Sequence, residues 1–572
     1  MNPAEEASRR AMEAMYASIE RGENFLLEAG PGAGKTWGLV KALQRLITRG
    51  QASMPRGRQK IACITFTNVA KEEIETRTEQ NPLVHCDTIH GFSWSMTSGF
   101  QKQLREELPL LPGWREKLDE AGVKTIGVVE YLLGHRRVEG QNVAINHDDV
   151  LQLTVALLGR KKFRRVLAER FPVILIDEYQ DANAGWMAAI RENVFGEGHP
   201  QIGLFGDHWQ KIYGDGCGRV QHQALREIGL GANFRSCSAI VRCLNRMRPA
   251  LPQEVKDPDA LGSVVIMHTN RWPQPRRGGN HWKGDLPQEA ASEAFTRAKV
   301  HLTEQGWSWD GDTTKILMLT HRALAAEQGY GTLPGVFAYN DSFTKKENEH
   351  VKFLVDILEP ACDAFEAKKY GEMFSILGQR NPLIMGQGDK ALWSGAMQKL
   401  CSLRATATVG DVMSYLRAVE RPRLPDSVAD RERDLERMLH EAGEIEGTLK
   451  ELNELHAVPC SEIKALRRYL EGHSPFETKH GVKGAEFENV LVVVGRGWNL
   501  YNFGEMLELV PSADGLTGKK LEGFERNRNL FYVACSRAKR RLAVLFTQFL
   551  SDGAMTTLQN WFGNDAITEL EG

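Results

Sequence analysis

The sequence predicts an α/β protein with two parallel-sheet cores, each interrupted by an inserted helical segment. Three observations predict it. Short, near-continuous Val/Ile/Leu runs fall into two clusters, helical periodicity lies between them, and several runs end in polar residues. In the first half the runs cover residues 24–28, 60–65, 172–176 and 201–205; in the second half, 263–268, 315–320, 489–494 and 541–546. Runs of this kind fit strands buried on both faces of a parallel sheet. After Lys35, the residues Leu39, Val40, Leu43, Leu46 and Ile47 repeat at helical spacing, and Gly50 supplies a stop.

The 572 residues are 42 % hydrophobic and 26 % charged, the proportions of a soluble globular chain. Net charge is −2, so any nucleic-acid contact needs a local groove rather than a basic surface. No apolar stretch approaches the length of a membrane-spanning helix. The start, MNPAEEASRR, carries charges where a secretory signal needs apolar residues. Nine scattered cysteines contain no Cys-x-x-Cys pair, which argues against a disulfide framework or zinc ribbon and predicts the reducing cytoplasm. Residues 1–92 with 171–245 read as the first core and 93–170 as its helical insertion. Residues 246–358 with 474–572 read as the second core and 359–473 as the second insertion, which includes the charged run 429–439.

Residues 29–36, AGPGAGKT, follow the first strand and open a helix, the setting a phosphate-binding loop requires. The loop Ala29, Gly30, Pro31, Gly32, Ala33 and Gly34 would wrap the backbone N–H groups of its residues other than Pro31 around phosphate oxygens, the glycines permitting the curl. The helix N-terminus adds positive potential. Lys35 would reach the β- and γ-phosphates and the Thr36 hydroxyl would ligate Mg²⁺. Residues 172–181, PVILIDEYQD, are a buried strand ending in acids. Asp177 would hold Mg²⁺ and Glu178 would orient or deprotonate the attacking water.

Around these lie further motifs in order: TFTNVAK at 65–71, TIHGF at 88–92, DEYQD at 177–181 and GDHWQKIY at 206–213. NFRS at 233–236, TKHGVKGAEF at 478–487 and LFYVACSRA at 530–538 complete the set. The series resembles the superfamily 1A DNA helicases of the UvrD/Rep/PcrA type. The resemblance implies two RecA-like cores of the P-loop NTPase class, ATP with Mg²⁺ as cofactors, and 3′→5′ movement on single-stranded or tailed duplex DNA. It makes Gln210, Arg235 and Arg537 γ-phosphate contacts, Arg537 coming from the second core. It puts Phe234 on the adenine and Glu486 on the ribose. Phe66, Asn68, Thr88, His90, Phe92 and His480 fall on the implied single-strand track, where stacking on aromatic faces tolerates any base.

Two departures stand out. The family's adenine-reading glutamine near the N-terminus is missing, since no Gln precedes Gln44, and this leaves selectivity for ATP open. The family's Tyr-x-Trp is also missing, because Tyr213 is followed by Gly-Asp-Gly; Trp209 or Tyr213 itself is a possible replacement. Weaker signals are the basic run 160–165 and the Trp/Arg-rich loop 271–283. About 35 residues follow Arg537, which leaves no room for a C-terminal nuclease domain. This compact layout, with LTHRALAAEQGY at 319–330, is similar to the helicase-like subunit of Gabija anti-phage systems. Two functions follow from the resemblance: an ATP-driven translocase or helicase in DNA repair or anti-phage defence, or an ATPase switch that responds to nucleic acid or nucleotide and controls a separate nuclease.

Overall fold

The computed structural model describes residues 2–53, 59–132, 136–212, 214–279, 282–318, 328–337, 341–378, 382, 384–440, 446–471, 476–478, 485–496 and 501–570. The chain forms two compact units. The first comprises Met1–Val265, Tyr501–Leu542 and Leu550–Ile567; the second comprises Ile266–Leu500, Ala543–Phe549 and Thr568–Gly572.

The first unit is organised around β1 (Asn24–Ala29), β2 (Ile61–Thr65), β3 (Val84–Thr88), β4 (Val173–Asp177), β5 (Gln201–Gly206) and β6 (Leu225–Leu230). Their order is β3-β2-β4-β5-β1-β6, and every neighbouring pair is parallel. The four inner strands are the apolar runs of the sequence, and β2, β4 and β5 are buried along their whole length. The edge strands β3 and β6 are more polar and half exposed, so they give no continuous apolar run. A capping box between Asn2 and Glu5 starts the helix Pro3–Arg21. That helix buries Met12, Met15 and Ile19 in one cluster with Phe25, Leu27, Leu39 and Leu43.

The insertion after β3 is helical, with Gln101–Glu107, Trp114–Glu120, His147–Leu158 and Lys161–Arg170 as its main helices. It also holds a three-stranded sheet of Val129–Tyr131, Asn142–Ile145 and Arg137–Glu139, which the helical reading did not foresee. These strands are three or four residues long, too short to give a period. Trp114, Leu157 and Phe163 share an apolar cluster with Leu26, Ile64 and Ile176 of the sheet, so insertion and sheet have a common core. The cations of the basic run are mostly paired: Arg160 with Glu107 at 2.5 Å, Arg164 with Glu197 at 3.5 Å and Arg165 with Glu169 at 3.6 Å.

The second unit carries a second six-stranded sheet. Its strands are β7 (Ser263–His268), β8 (Thr314–Met318), β9 (Phe476–Thr478), β10 (Phe487–Val494), β11 (Ala538–Phe546) and β12 (Ile567–Glu569), in the order β9-β8-β10-β11-β7-β12. β8 runs parallel to both β9 and β10. The two sheets and their covering helices make two RecA-like cores. The second insertion is helical, from Glu359–Glu366 to Cys460–Leu470. Within the charged run, Glu432 is 1 % exposed and its Oε1 lies 3.0 Å from His350 Nε2 and 2.8 Å from His456 Nε2. In the loop 271–283, the Arg277 guanidinium stacks 3.8 Å from the Trp282 ring centroid, and Arg276 donates to Thr547 O at 2.9 Å.

Gly203 sets how closely the phosphate-loop strand and the acidic strand flank β5. It is in register with Phe25 on one side and Leu175 on the other. A Cβ there would lie 2.6 Å from Phe25 Cζ and 2.7 Å from Leu175 Cδ2. Gly203→Val therefore overpacks the sheet and is expected to cost about 1–3 kcal/mol, read as a lowered urea midpoint.

Candidate nucleotide site

The carboxyl ends of β1, β4 and β5 converge, the place where parallel α/β sheets bind ligands. The loop after β1 turns through Gly32 at φ +71° and Gly34 at φ +83° before the helix Lys35–Ser53 begins. Lys35 Nζ lies 2.6 Å from Glu178 Oε2. Burial alone would lower the Lys35 pKa; the charges of Glu178, Asp177 and Asp207 outweigh it and hold the pKa above its ordinary value. The ammonium is thus kept charged where phosphate would need it. Glu178 sits at φ 47° and ψ 42°, a left-handed conformation uncommon outside glycine and a mark of strain tolerated at functional positions.

A chain of side-chain contacts runs from Lys35 to Arg537. Gln180 Nε2 donates to Glu178 Oε2 at 2.5 Å, and Gln180 Oε1 accepts from Asp207 N at 3.0 Å. Gln210 Nε2 donates to Asp207 Oδ2 at 2.8 Å, and Arg537 Nη2 donates to Gln210 Oε1 at 3.5 Å. The segment Tyr501–Leu542 belongs to the first unit, so Arg537 meets Gln210 inside that unit. Arg537 Nε also donates to Val533 O at 3.0 Å, and Arg235 Nη1 donates to Ser536 O at 3.1 Å. Gly206 has to be glycine here, because a Cβ would stand 2.2 Å from Gln180 Oε1.

Behind this path lies a charge cluster that the motifs do not announce. Arg248 is 2 % exposed and donates through Nη2 to Glu28 Oε1 and through Nη1 to Asp207 Oδ1, both at 2.7 Å. Glu28 also lies 2.6 Å from His208 Nδ1 and accepts from Tyr179 OH at 2.9 Å. Burial would raise the Glu28 pKa; the bond to His208 and the Arg248 charge override it and bring it to about 2. Glu28, Asp207 and His208 bring ligand atoms within 4.8 Å of one another, but Arg248 already supplies the cation.

Trp209 is held in the same cluster. The Arg528 guanidinium lies 4.0 Å and that of Arg248 5.3 Å from its ring, and Tyr532 meets it edge-on at 5.2 Å. Trp209 is partly exposed, and these side chains engage its ring. Tyr213, the other possible replacement, lies outside the described residues.

Phe234 is 38 % exposed on a cleft of about 740 Å³ that Met12, Tyr16, Ala33, Gly34 and Trp37 also line. An aromatic wall beside the phosphate loop fits a nucleobase. Glu486 is exposed on the second unit, just before β10.

The residues expected on the strand track divide. Phe66 is 41 % exposed, and Asn68 beside it is exposed at the start of the helix Asn68–Arg77. Thr88 caps the helix Ile89–Thr97, its hydroxyl accepting from Gly91 N at 3.2 Å. His90 is partly buried with its ring 4.6 Å from that of His147; burial, then His147, pushes its pKa down. Phe92 corrects the expectation: it is 4 % exposed and packs on Phe171 at 5.3 Å, a core residue on one helix face with Ile89 and Met96. His480 and residues 319–327 lie outside the described residues.

No ligand defines the metal position, so the donors have to. Thr36 and Asp177 offer the hard oxygens that Mg²⁺ takes, and Asp177, 7 % exposed, acts on the same ammonium that would meet the phosphates. Those residues fit the ion.

An all-parallel sheet, a glycine loop at β1, an acidic pair at β4 and a glutamine after β5 define a P-loop nucleotide-binding core of the RecA-like class. Residues 12–215 match the family model described as an AAA domain. Over the whole chain there is similarity to the Gabija protein GajB of Bacillus cereus (strain HuB5-5). Identity is 22 % over an alignment 692 positions long, gaps included, covering 95 % of this chain and 96 % of that protein. The resemblance drawn from the motifs, including the one to Gabija proteins, is borne out by these matches. Among the described residues, no helix is long and apolar enough to cross a membrane.

The Glu28 pKa sets an acid dependence. Because it is held below its ordinary value of 4.5, Glu28 stabilises the fold above about pH 4.5, and that contribution is lost as pH falls towards about 2. Glu28→Gln should lose on the order of 3 kcal/mol at pH 7 by breaking a buried pair. Its urea midpoint should also fall less than that of the unaltered protein between pH 4.5 and 2. Parallel acid limbs would show that Glu28 carries no such linkage.

Proposed function

We propose that this chain is an ATP-dependent translocase or helicase on single-stranded DNA, moving 3′→5′. The observation that carries it is the path Lys35–Glu178–Gln180–Asp207–Gln210–Arg537, which strings a phosphate lysine, a candidate base, a sensor glutamine and an arginine along one site. In this reading Lys35 and the loop N–H groups bind the phosphates, and Phe234 stacks on the base. Glu178 accepts the proton of the attacking water. Gln210, Arg235 and Arg537 meet charge that develops on the γ-phosphoryl; Arg suits this because its fork is planar and permanently charged. Thr36 and Asp177 would hold Mg²⁺, which when bound neutralises charge between β- and γ-oxygens. Glu486 would reach the ribose. Exposed Phe66 and Asn68, with Thr88, His90 and His480, would contact the strand.

Similarity to a Gabija protein supports a role in cytoplasmic anti-phage defence beside a separate nuclease. It also supports a second reading, an ATPase switch that controls that nuclease without robust unwinding. The missing Tyr-x-Trp favours the switch, because the strand motor's stacking tryptophan has no counterpart after Tyr213. Strand-separation assays on the isolated chain decide between the two: efficient unwinding of a 3′-tailed duplex supports the motor, while DNA-stimulated hydrolysis without unwinding supports the switch.

Lys35→Ala should abolish hydrolysis, since the β/γ-phosphates lose their main point charge; hydrolysis at the unaltered rate would refute the site. Glu178→Gln should bind ATP but turn over roughly 100-fold or more slowly, the usual size of a general-base effect, in single-turnover assays.

A further inference from the structure

Gln253 belongs to no motif, yet it touches the phosphate loop from behind. It is 4 % exposed and lies beside the two-residue strand Glu254–Val255, which pairs in parallel with Ala232–Asn233. Its backbone is held at both ends by Asn245: Gln253 N donates to Asn245 Oδ1 at 2.8 Å, and Asn245 Nδ2 donates to Gln253 O at 2.9 Å.

The Gln253 carboxamide is fully used. Nε2 donates to Pro31 O at 3.0 Å and Ala232 O at 2.8 Å, and Oε1 accepts from Asn233 Nδ2 at 3.2 Å. Two carbonyl acceptors fix which end of the amide is nitrogen. Asn233 Nδ2 adds a second donor to Pro31 O at 3.1 Å, and Asn233 Oδ1 accepts from the N–H groups of Arg235 at 3.0 Å and Ser236 at 2.8 Å. Gln253 therefore ties the crest of the loop to the segment that presents Phe234 and Arg235. It also explains Gly30, because a Cβ there would lie 2.6 Å from Gln253 Nε2.

In a trans peptide the carbonyl and the following N–H point in opposite directions. Drawing the Pro31 carbonyl towards Gln253 turns the Gly32 N–H the other way. An anion-binding loop needs N–H groups on its concave side and carbonyls off it. We propose that Gln253 is a positioning residue for nucleotide binding: it holds the Pro31–Gly32 peptide so that the Gly32 N–H faces the nucleotide phosphates. This rests on the nucleotide-site reading above.

The test uses steady-state ATP hydrolysis and ATP binding by the full chain. Gln253→Met keeps the volume and removes the donors. It should raise KM and Kd for ATP by about tenfold, with kcat at saturation changed less than about threefold. Gln253→Glu keeps the shape but sets a carboxylate against two carbonyl oxygens, so it should be worse than Gln253→Met. A space-filling role would rank them the other way or move only the melting temperature. Should Gln253→Met fold poorly, Gly30→Ala supplies the second arm. Its KM penalty should shrink at least about fivefold when Gln253→Ala makes room for the new methyl group. Unchanged KM and Kd in Gln253→Met, or independent effects of Gly30→Ala and Gln253→Ala, would overturn the inference while leaving the ATPase reading intact. A wild-type chain that neither binds nor hydrolyses ATP would overturn the ATPase reading.

Discussion

The site depends on neutralising carboxylates that the sheet crowds together. β1 ends near Glu28, β4 ends in Asp177 with Glu178 after it, and Asp207 follows β5. Parallel strands put all four at one end, where like charges disfavour ionisation. Two cations answer this, Arg248 buried and Lys35 largely so. Lys35 faces Glu178 and Asp177, while Arg248 joins Glu28 to Asp207. The balance is uneven: Glu28, with His208 and Arg248 around it, is held down to about 2, whereas burial pushes the Asp207 pKa up. Asp207 is nevertheless well supplied with donors, from Arg248, Gln210 and the Trp209 N–H. It works as the hub that fixes Gln210.

How much of this the sequence shows depends on what each residue's signal is made of. The inner strands announce themselves because both faces are covered, so every position is apolar. β3 and β6 do not, because an edge strand keeps polar residues, and VHCDT or LREIGL reads equally well as loop. The phosphate loop and acidic pair are contiguous and therefore readable. Arg248 and Gln253 are single polar residues whose partners lie 220 and 222 positions away, and no local pattern marks them. Burial at two further positions did have a local signal. Phe92, expected on the strand track, continues the buried face of Ile89 and Met96 at helical spacing, and Glu432 falls on the stripe of Val428 and Leu435. A polar or aromatic residue at a core register is buried unless the tertiary structure opens that face, whatever its motif or charge neighbours imply.

Trp209 ties the charge cluster to a helix further along the chain. Two guanidiniums approach its ring, one from Arg248 beside the nucleotide site and one from Arg528 on the helix Gly518–Cys535. Burial lowers the Arg528 pKa to about 10; the Glu525 carboxylate 3.8 Å away, the Asn529 side-chain carbonyl oxygen and the Trp209 ring each offset part of the cost of removing the charge from water. From the same helix, Asn529 Nδ2 donates to His208 O at 3.0 Å and Lys211 O at 3.2 Å. The short turn carrying Gln210 is thus clasped by the element that leads into Arg537. A shift of Gln210 has a route to that helix through packed rings and hydrogen bonds.

The Lys35–Glu178 pair gives this arrangement a direction. At 2.6 Å the ammonium and the candidate base satisfy each other, and Gln180 holds the same Glu178 oxygen at 2.5 Å. A carboxylate so engaged is a poor proton acceptor. Triphosphate carries more negative charge than one carboxylate and would draw Lys35 towards itself. Glu178 would then lose the ammonium while Gln180 stays among its partners, and a neutral amide orients the carboxylate without stabilising its charge as strongly as an ammonium does. In the proposed function, the charge exchange that seats the substrate would also free the base. Gln180 also accepts from Asp207 N, so the exchange is felt at the hub holding Gln210. In the proposed function, hydrolysis and phosphate sensing would be coupled through one carboxamide, whose place depends on both the left-handed backbone at Glu178 and the missing side chain at Gly206.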